Sequence, residues 1–132
     1  MHPVYVHIKK ELSPFYAEEE ASAMAKWISS DILHLSTLEL YTGKDMNFST
    51  KEWAELEDIL RRLKQREPLQ YILQEASFCG MSFHVEQGVL IPRPETEELV
   101  EWIVSDYREA GQVRILDIGT GSGCIPVSLA QL

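Results

Sequence analysis

Near its end the chain carries a short apolar run, a turn with three alternating glycines and a second apolar segment. The run covers residues 113–118, the glycines are Gly119, Gly121 and Gly123, and the second segment covers residues 124–132. Strand, glycine turn and helix, in this order, form the opening unit of a doubly wound α/β domain. Because glycine lacks a Cβ, such a turn bends sharply and lets a ligand approach the backbone. We therefore predict a strand at 113–118, a helix at 124–132 and a ligand-binding turn between them.

The spacing of the glycines separates the candidate ligands. A dinucleotide fingerprint, G-x-G-x-x-G, requires glycine at the position of Cys124, and a phosphate-binding P-loop requires a lysine that the turn lacks. The pattern Gly119-x-Gly121-x-Gly123, preceded by Asp117, is instead similar to the first motif of Rossmann-like methyltransferases. In those enzymes the turn approaches the methionine part of S-adenosylmethionine, and the acidic residue holds the turn or reaches the amino group of the ligand. A tight turn that binds nothing is the alternative.

The first half of the chain has the periodicity of short helices, because apolar residues recur there at three- and four-residue steps. We predict helices over residues 3–12, 18–35, 38–43 and 49–67. Ser49 and Glu52 have the spacing of a capping box, in which each side chain accepts a free backbone N–H of the other residue. The apolar stripe predicted for this last helix consists of Trp53, Leu56, Leu60 and Leu63. Short helices joined by short loops pack as a bundle.

The pattern changes near Ala76. Aromatic and β-favouring residues alternate around a glycine in residues 77–85, residues 86–88 resemble a turn, and residues 89–91 resemble a returning strand. We therefore predict a hairpin-like connector. Pro94 suits the first turn of a further helix, which ends at Gly111. The apolar face predicted for that helix consists of Leu99, Val100, Ile103, Val104 and Tyr107.

Three stretches of the chain resemble HemK-type protein-glutamine methyltransferases, which modify peptide chain release factors. Residues 66–72, Arg-Glu-Pro-Leu-Gln-Tyr-Ile, contain the E-P-L-x-Y-I core of one family motif. Residues 90–97, Leu-Ile-Pro-Arg-Pro-Glu-Thr-Glu, and residues 115–123, Ile-Leu-Asp-Ile-Gly-Thr-Gly-Ser-Gly, match two others. Of the three stretches, Pro-Arg-Pro-Glu-Thr best distinguishes this family from other methyltransferases, because it is rare among methyltransferases generally.

The resemblance implies a fold in three parts. A mainly α N-terminal helical bundle at 1–74 recognises the substrate, and a β-hairpin connector follows at 75–92. Residues 93–132 form the first β-α unit of a truncated Rossmann-like α/β methyltransferase domain. The implied cofactor is S-adenosylmethionine, held by Asp117, Gly119, Thr120, Gly121, Ser122 and Gly123. We add Arg93 and Thr96 to this pocket because their segment enters the catalytic domain, although Arg93 could instead cap a helix or pair with Glu97.

For the complete enzyme, the resemblance implies methyl transfer to the side-chain amide of a glutamine in the Gly-Gly-Gln loop of a release factor. The family uses an Asn-Pro-Pro-Tyr motif that is absent from this sequence. We therefore assign no catalytic residue within the chain and expect it to be inactive alone. An unpaired strand edge and an uncovered apolar face favour self-association or a poorly ordered C-terminus. Two alternatives remain: a methyltransferase acting on a ribosomal protein or a nucleobase, and a protein-binding module without chemistry.

Composition disfavours several other classes of protein. The net charge of −9 argues against non-specific binding to nucleic acid or to anionic lipid. No apolar run approaches the roughly 20 residues that span a bilayer, and the N-terminus shows no secretory signal. Cys79 and Cys124 lack metal-ligand spacing and the four histidines are scattered, so we predict reduced thiols and no metal site. The protein is expected in the cytoplasm.

Overall fold

The computed structural model describes residues 1–43 and 47–132. Within these residues the helices are α1 (Pro3–Leu12), α2 (Glu18–Asp31), α3 (Thr37–Thr42), α4 (Thr50–Lys64), α5 (Leu69–Leu73), α6 (Pro94–Tyr107) and α7 (Cys124–Gln131). The strands are β1 (Glu75–Phe78) and β2 (Met81–His84). The chain divides into two compact units, residues 1–69 and residues 70–132. None of the described helices combines the length and the apolar character that crossing a membrane requires.

The first unit buries the apolar faces of its helices against one another. Helix α1 packs on α2 and on α4. Large apolar residues of these three helices with no exposed surface are Ile8, Leu12, Ile28, Leu56 and Leu63. Since full burial of a leucine or isoleucine side chain contributes about 1.5–3 kcal/mol, these contacts hold the helices together. The mainly helical N-terminal region is confirmed.

Two details of the predicted helices differ in the structure. Helix α2 ends at Asp31 and not at Leu35 as predicted. Leu35 is buried, but it belongs to the loop that follows the helix. Trp53, predicted in the buried stripe of α4, is 41% exposed, and Ile59 is buried instead. The reason is local, because Trp53 lies in the first turn of α4 and packs edge-on against Phe48 with ring centroids 5.9 Å apart.

Capping boxes start two of these helices. The predicted box at α4 is present: the Glu52 backbone N–H donates to Ser49 Oγ over 3.1 Å, and the Ser49 backbone N–H donates to the Glu52 carboxylate over 2.6 Å. That second bond holds the pKa of Glu52 below its ordinary value. A further box, not predicted from the sequence, joins Ser36 and Glu39 at α3. As predicted, Gly43 ends α3, with a φ of 65°.

The second unit contains an antiparallel hairpin with a different turn from the predicted one. Strands β1 and β2 pair Ala76 with Phe83 and Phe78 with Met81. They are joined by Cys79 and Gly80, which have φ values of 48° and 73°. A two-residue hairpin loop with positive φ at both central residues matches the twist of its strands. Because the turn lies at these two residues, the segment 77–85 contains the end of β1 and the whole of β2. The predicted returning strand at 89–91 was wrong. A turn does form there, since the Val89 N–H donates to the Glu86 carbonyl over 3.0 Å.

The core of the second unit joins the hairpin to α6 and α7. It consists of Phe78, Phe83, Val100 and Cys124. Both helices begin where they were predicted, and Pro94 occupies the first turn of α6. Of the apolar face predicted for α6, only Val100 is fully buried, while Leu99 and Tyr107 are 43% and 53% exposed.

The predicted strand at 113–118 was wrong for the described structure. A β-strand needs a hydrogen-bonded neighbour, and none of the described residues pairs with this segment. Its side chains are exposed, with Leu116 at 83% and Ile118 at 88%. The described fold is therefore mostly helical with one small antiparallel sheet, and the predicted first β-α unit of an α/β domain is not confirmed.

Candidate functional site

The glycine turn at residues 119–123 has a backbone that requires glycine. Gly119, Gly121 and Gly123 have φ values of 77°, 60° and 81°, in the left-handed region that residues with a Cβ rarely adopt. The Gly123 N–H donates to the Thr120 carbonyl over 3.1 Å and closes the turn. Gly123 is also the N-cap residue of α7. The alternating glycines of the sequence therefore produce the sharp turn that their spacing predicts.

The space beside this turn is open. A Cβ added to Gly119 or to Gly121 would meet no atom of the protein within 4 Å, and one added to Gly123 would meet only a methyl group of Val127 at 3.8 Å. Crowding by the protein therefore does not explain the glycines, and a ligand has access to the backbone. At the start of α7, helix geometry leaves backbone N–H groups without intrahelical partners, which favours a negatively charged group.

Two polar atoms flank the turn without partners. Asp117 Oδ2 and Ser122 Oγ are shielded from solvent, and neither makes a hydrogen bond in the structure. Leaving a buried polar atom unsatisfied costs about 1–3 kcal/mol. A ligand with a positively charged donor near Asp117 and an acceptor near Ser122 would remove this penalty. The arrangement is thus suited to a small ligand that carries charges of both signs.

Arg93 and Thr96 lie at the start of α6. Arg93 is exposed and occupies the N-cap position, but its side chain makes no capping hydrogen bond. The Thr96 N–H donates to the Arg93 carbonyl over 3.1 Å. Within the part of the chain that the structure describes, no hydrogen bond or ion pair joins either side chain to the glycine turn, and Arg93 does not pair with Glu97. Their place in the pocket stays a prediction.

Sequence reasoning missed the role of Glu97, which was considered only as a partner for Arg93. Its Oε1 accepts the backbone N–H of Cys79 at the tip of the hairpin over 3.0 Å. The two alternating stretches around Cys79-Gly80 were the signal that could have placed the turn there. Burial raises the pKa of the Cys79 thiol, an effect that the nearby Ser128 hydroxyl opposes and the carboxylates of Glu97 and Glu101 reinforce. The thiol is therefore protonated at neutral pH and is a poor nucleophile.

Comparison with known proteins shows the family of this chain. Residues 5–73 match the family model described as the PrmC N-terminal domain. A release factor glutamine methyltransferase from Bacteroides thetaiotaomicron is 47% identical over 129 residues, which are 98% of this chain and 46% of that protein. The one from Flavobacterium psychrophilum is 40% identical over 123 residues, 91% of this chain and 43% of that protein. The one from Geobacter sulfurreducens is 42% identical over 113 residues, 86% of this chain and 39% of that protein.

The chain therefore belongs to the release factor glutamine methyltransferase family. This confirms the resemblance carried by its three motifs. The chain spans less than half of the length of these relatives. A release factor is the substrate named for these relatives.

Proposed function

We propose that this chain supplies the front part of an enzyme that methylates the glutamine side-chain amide in the Gly-Gly-Gln loop of peptide chain release factors. In this proposal residues 1–74 recognise the release factor, and residues 93–132 begin the domain that binds S-adenosylmethionine. Residues 75–92 connect these two parts. The observation that carries the proposal is the glycine turn, which has open space on its surface and two unpartnered polar atoms beside it.

The residues at the turn fit the charges of S-adenosylmethionine, whose methionine part carries an ammonium and a carboxylate. The shielded Asp117 Oδ2 has no donor in the structure and is suited to accept from the ammonium. Ser122 Oγ and the first N–H groups of α7 are donors suited to the carboxylate. The pocket of this proposal comprises Asp117, Gly119, Thr120, Gly121, Ser122 and Gly123, with Arg93 and Thr96 at its edge.

The reaction is difficult because the lone pair of an amide nitrogen is delocalised into the carbonyl. The bound cofactor supplies an electrophilic methyl group on a sulfonium centre. The contribution of this chain is orientation, since holding the cofactor in one place against the backbone of the turn makes an in-line approach possible. We assign none of its own residues to catalysis and expect the chain by itself to transfer no methyl group.

The charge of the chain supports a protein substrate over a nucleobase. Binding to nucleic acid depends on lysine and arginine at the phosphates, and this chain has 12 basic residues against 21 acidic ones. A nucleobase is thus less favoured as the methyl acceptor, and a release factor is preferred to a ribosomal protein because the similar proteins are named for it.

The test uses a chimera in which this chain replaces its matching region in the Bacteroides thetaiotaomicron relative. With S-adenosylmethionine and a purified release factor, we expect mass spectrometry to find one added methyl group on the glutamine of the Gly-Gly-Gln loop. A release factor with alanine in place of that glutamine is the control and should gain none. A folded chimera that methylates neither protein, or that modifies both equally, would contradict the proposal.

A further inference from the structure

We propose that Glu97 is a positioning residue for the glycine turn. It acts through the tip of the hairpin, and the argument depends on the proposed function only for the identity of the ligand. The Glu97 carboxylate accepts the backbone N–H of Cys79 over 3.0 Å. It joins the tip of the hairpin directly to α6. A hydrogen bond to a charged group is roughly twice as strong as a neutral one.

This bond lies at a point where the backbone needs support. Cys79 has a φ of 48°, in the left-handed region that residues with a side chain rarely adopt. A residue keeps such a conformation only when its surroundings favour it. By fixing the Cys79 N–H, Glu97 holds the hairpin tip at the first turn of α6, next to the core.

The hairpin in turn seats the start of α7. Phe78 and Phe83, on the two strands, pack with Val100 of α6 and with Cys124, the first residue of α7. The two phenylalanine rings meet edge-to-face with centroids 6.2 Å apart. Cys79 and Met81 line the same core, as do Ile125 and Leu129 from further along α7. A shift of the hairpin therefore displaces the helix whose N-cap is Gly123.

The glycine turn itself has little other support. Among the described residues, its backbone hydrogen bonds are the one that closes it, from the Gly123 N–H to the Thr120 carbonyl, and the one from the Val127 N–H to the Gly123 carbonyl. The preceding residues 113–118 pair with no strand among the described residues. The position of the turn therefore depends chiefly on α7. Because α7 packs on the hairpin and the Glu97 hydrogen bond fixes the hairpin tip, that bond determines the geometry of the turn.

The first experiment measures hydrogen exchange on the present chain. Glu97→Ala removes the acceptor, and we expect the amides of residues 119–128 to exchange about tenfold faster, since local opening tracks the lost interaction. Glu97→Gln keeps an acceptor oxygen and should restore exchange to within about twofold of the unsubstituted chain. Glu98→Ala removes the same charge from the next, exposed residue of α6 and should change nothing. The amides of α2 serve as the internal reference.

The proposal is overturned if Glu97→Ala exchanges like the unsubstituted chain, or if Glu97→Gln is as fast as Glu97→Ala, because charge and not the acceptor would then matter. If Glu97→Ala unfolds the second unit as a whole, hydrogen exchange of the Glu97→Asp variant tests the proposal instead. Its carboxylate is one methylene shorter, so unchanged exchange there would also overturn the proposal.

The second experiment measures the affinity of the chimera for S-adenosylmethionine by calorimetry. We expect about tenfold weaker binding for Glu97→Ala and binding within about twofold for Glu97→Gln and Glu98→Ala. Equal affinity in all variants would overturn the positioning role. An unsubstituted chimera that binds no S-adenosylmethionine would refute the proposed function, and the exchange result would then decide the role of Glu97 by itself.

Discussion

The two units of this chain differ in how many of their apolar side chains are buried and how many are exposed. Among the described residues, sixteen hydrophobic side chains are buried in residues 1–69 and six large ones are exposed. In residues 70–132 six are buried and ten large ones are exposed. Capping boxes also differ, since the structure shows complete ones at two helices of the first unit.

The difference separates a unit with an extensive core of its own from one that leaves most of its large apolar side chains exposed. A buried core with satisfied helix ends is stable without a ligand. Exposed apolar groups are typical of a surface that something else completes. The glycine turn at residues 119–123 lies in the second unit.

The largest expected effect concerns the core of the first unit. Leu12 is fully buried on α1, so Leu12→Ala should lower the free energy of unfolding by about 2–5 kcal/mol. Leu116 is 83% exposed, and Leu116→Ala should change it by less than about 0.5 kcal/mol. Urea titration monitored by tryptophan fluorescence checks this, with Trp27 and Trp53 reporting on the first unit and Trp102 on the second. Equal losses from the two substitutions would remove the contrast between the units.

Self-association tests the exposed apolar groups of the second unit. We expect the chain to associate with a second copy through residues 113–118, because an apolar segment without strand partners is a template for pairing. Leu116→Glu should weaken the association about tenfold in sedimentation velocity. Leu38, 72% exposed on α3, is the matched control, and Leu38→Glu should leave it unchanged. If both substitutions act alike, the second unit has no special role in association.

A pair of serines compares the polar groups of the two units. Ser49 caps α4, so Ser49→Ala should destabilise the chain by about 1 kcal/mol. Ser122 Oγ has no partner, so Ser122→Ala should be neutral or slightly stabilising without ligand, because it removes an unsatisfied buried group. Thermal unfolding of the two variants checks the difference. A larger loss for Ser122→Ala would show that this hydroxyl is already satisfied.

The smallest effect is a pH dependence in the first unit. The Arg62 guanidinium, hydrogen-bonded to Glu67 over 2.8 Å, holds the pKa of that carboxyl below its ordinary value of 4.5. A carboxyl whose pKa is lowered by folding stabilises the folded state above that ordinary value, and this contribution is lost as the pH falls through the lowered pKa. Glu67→Gln should therefore reduce the loss of stability on acidification, whereas Glu55→Gln, at an exposed carboxylate, should not. Urea midpoints measured from neutral to acidic pH give the change of stability with pH. An identical change in the unsubstituted chain and in both variants would contradict the contribution assigned to Glu67.

The sequence predicted most of what depends on local patterns. Apolar periodicity located α1, α4 and α6, and the spacing of Ser49 and Glu52 identified a capping box that the structure contains. The positions of Gly119, Gly121 and Gly123 predicted a sharp turn, because few other residues adopt positive φ. Each of these features is determined by residues close together in the chain.

What the sequence did not predict depends on partners distant in the chain. The segment 113–118 has the composition of a strand, but a strand exists only where another one pairs with it. The bond between Glu97 and Cys79 spans 18 residues, and only the positive φ of the hairpin tip brings the two together. Arg93 and Thr96 as ligand-binding residues stay a prediction, which depends on the position of their segment at the entrance to the proposed catalytic domain.

The central claim is that the turn at 119–123 binds S-adenosylmethionine, with Asp117 as an acceptor. The most direct measurement is calorimetric titration of that compound into the chimera and into its Asp117→Asn variant. The account predicts a heat of binding for the first and about tenfold weaker binding for the second, because the amide cannot pair with an ammonium as a charge. A folded chimera that releases no heat, or an asparagine variant that binds equally well, would contradict it.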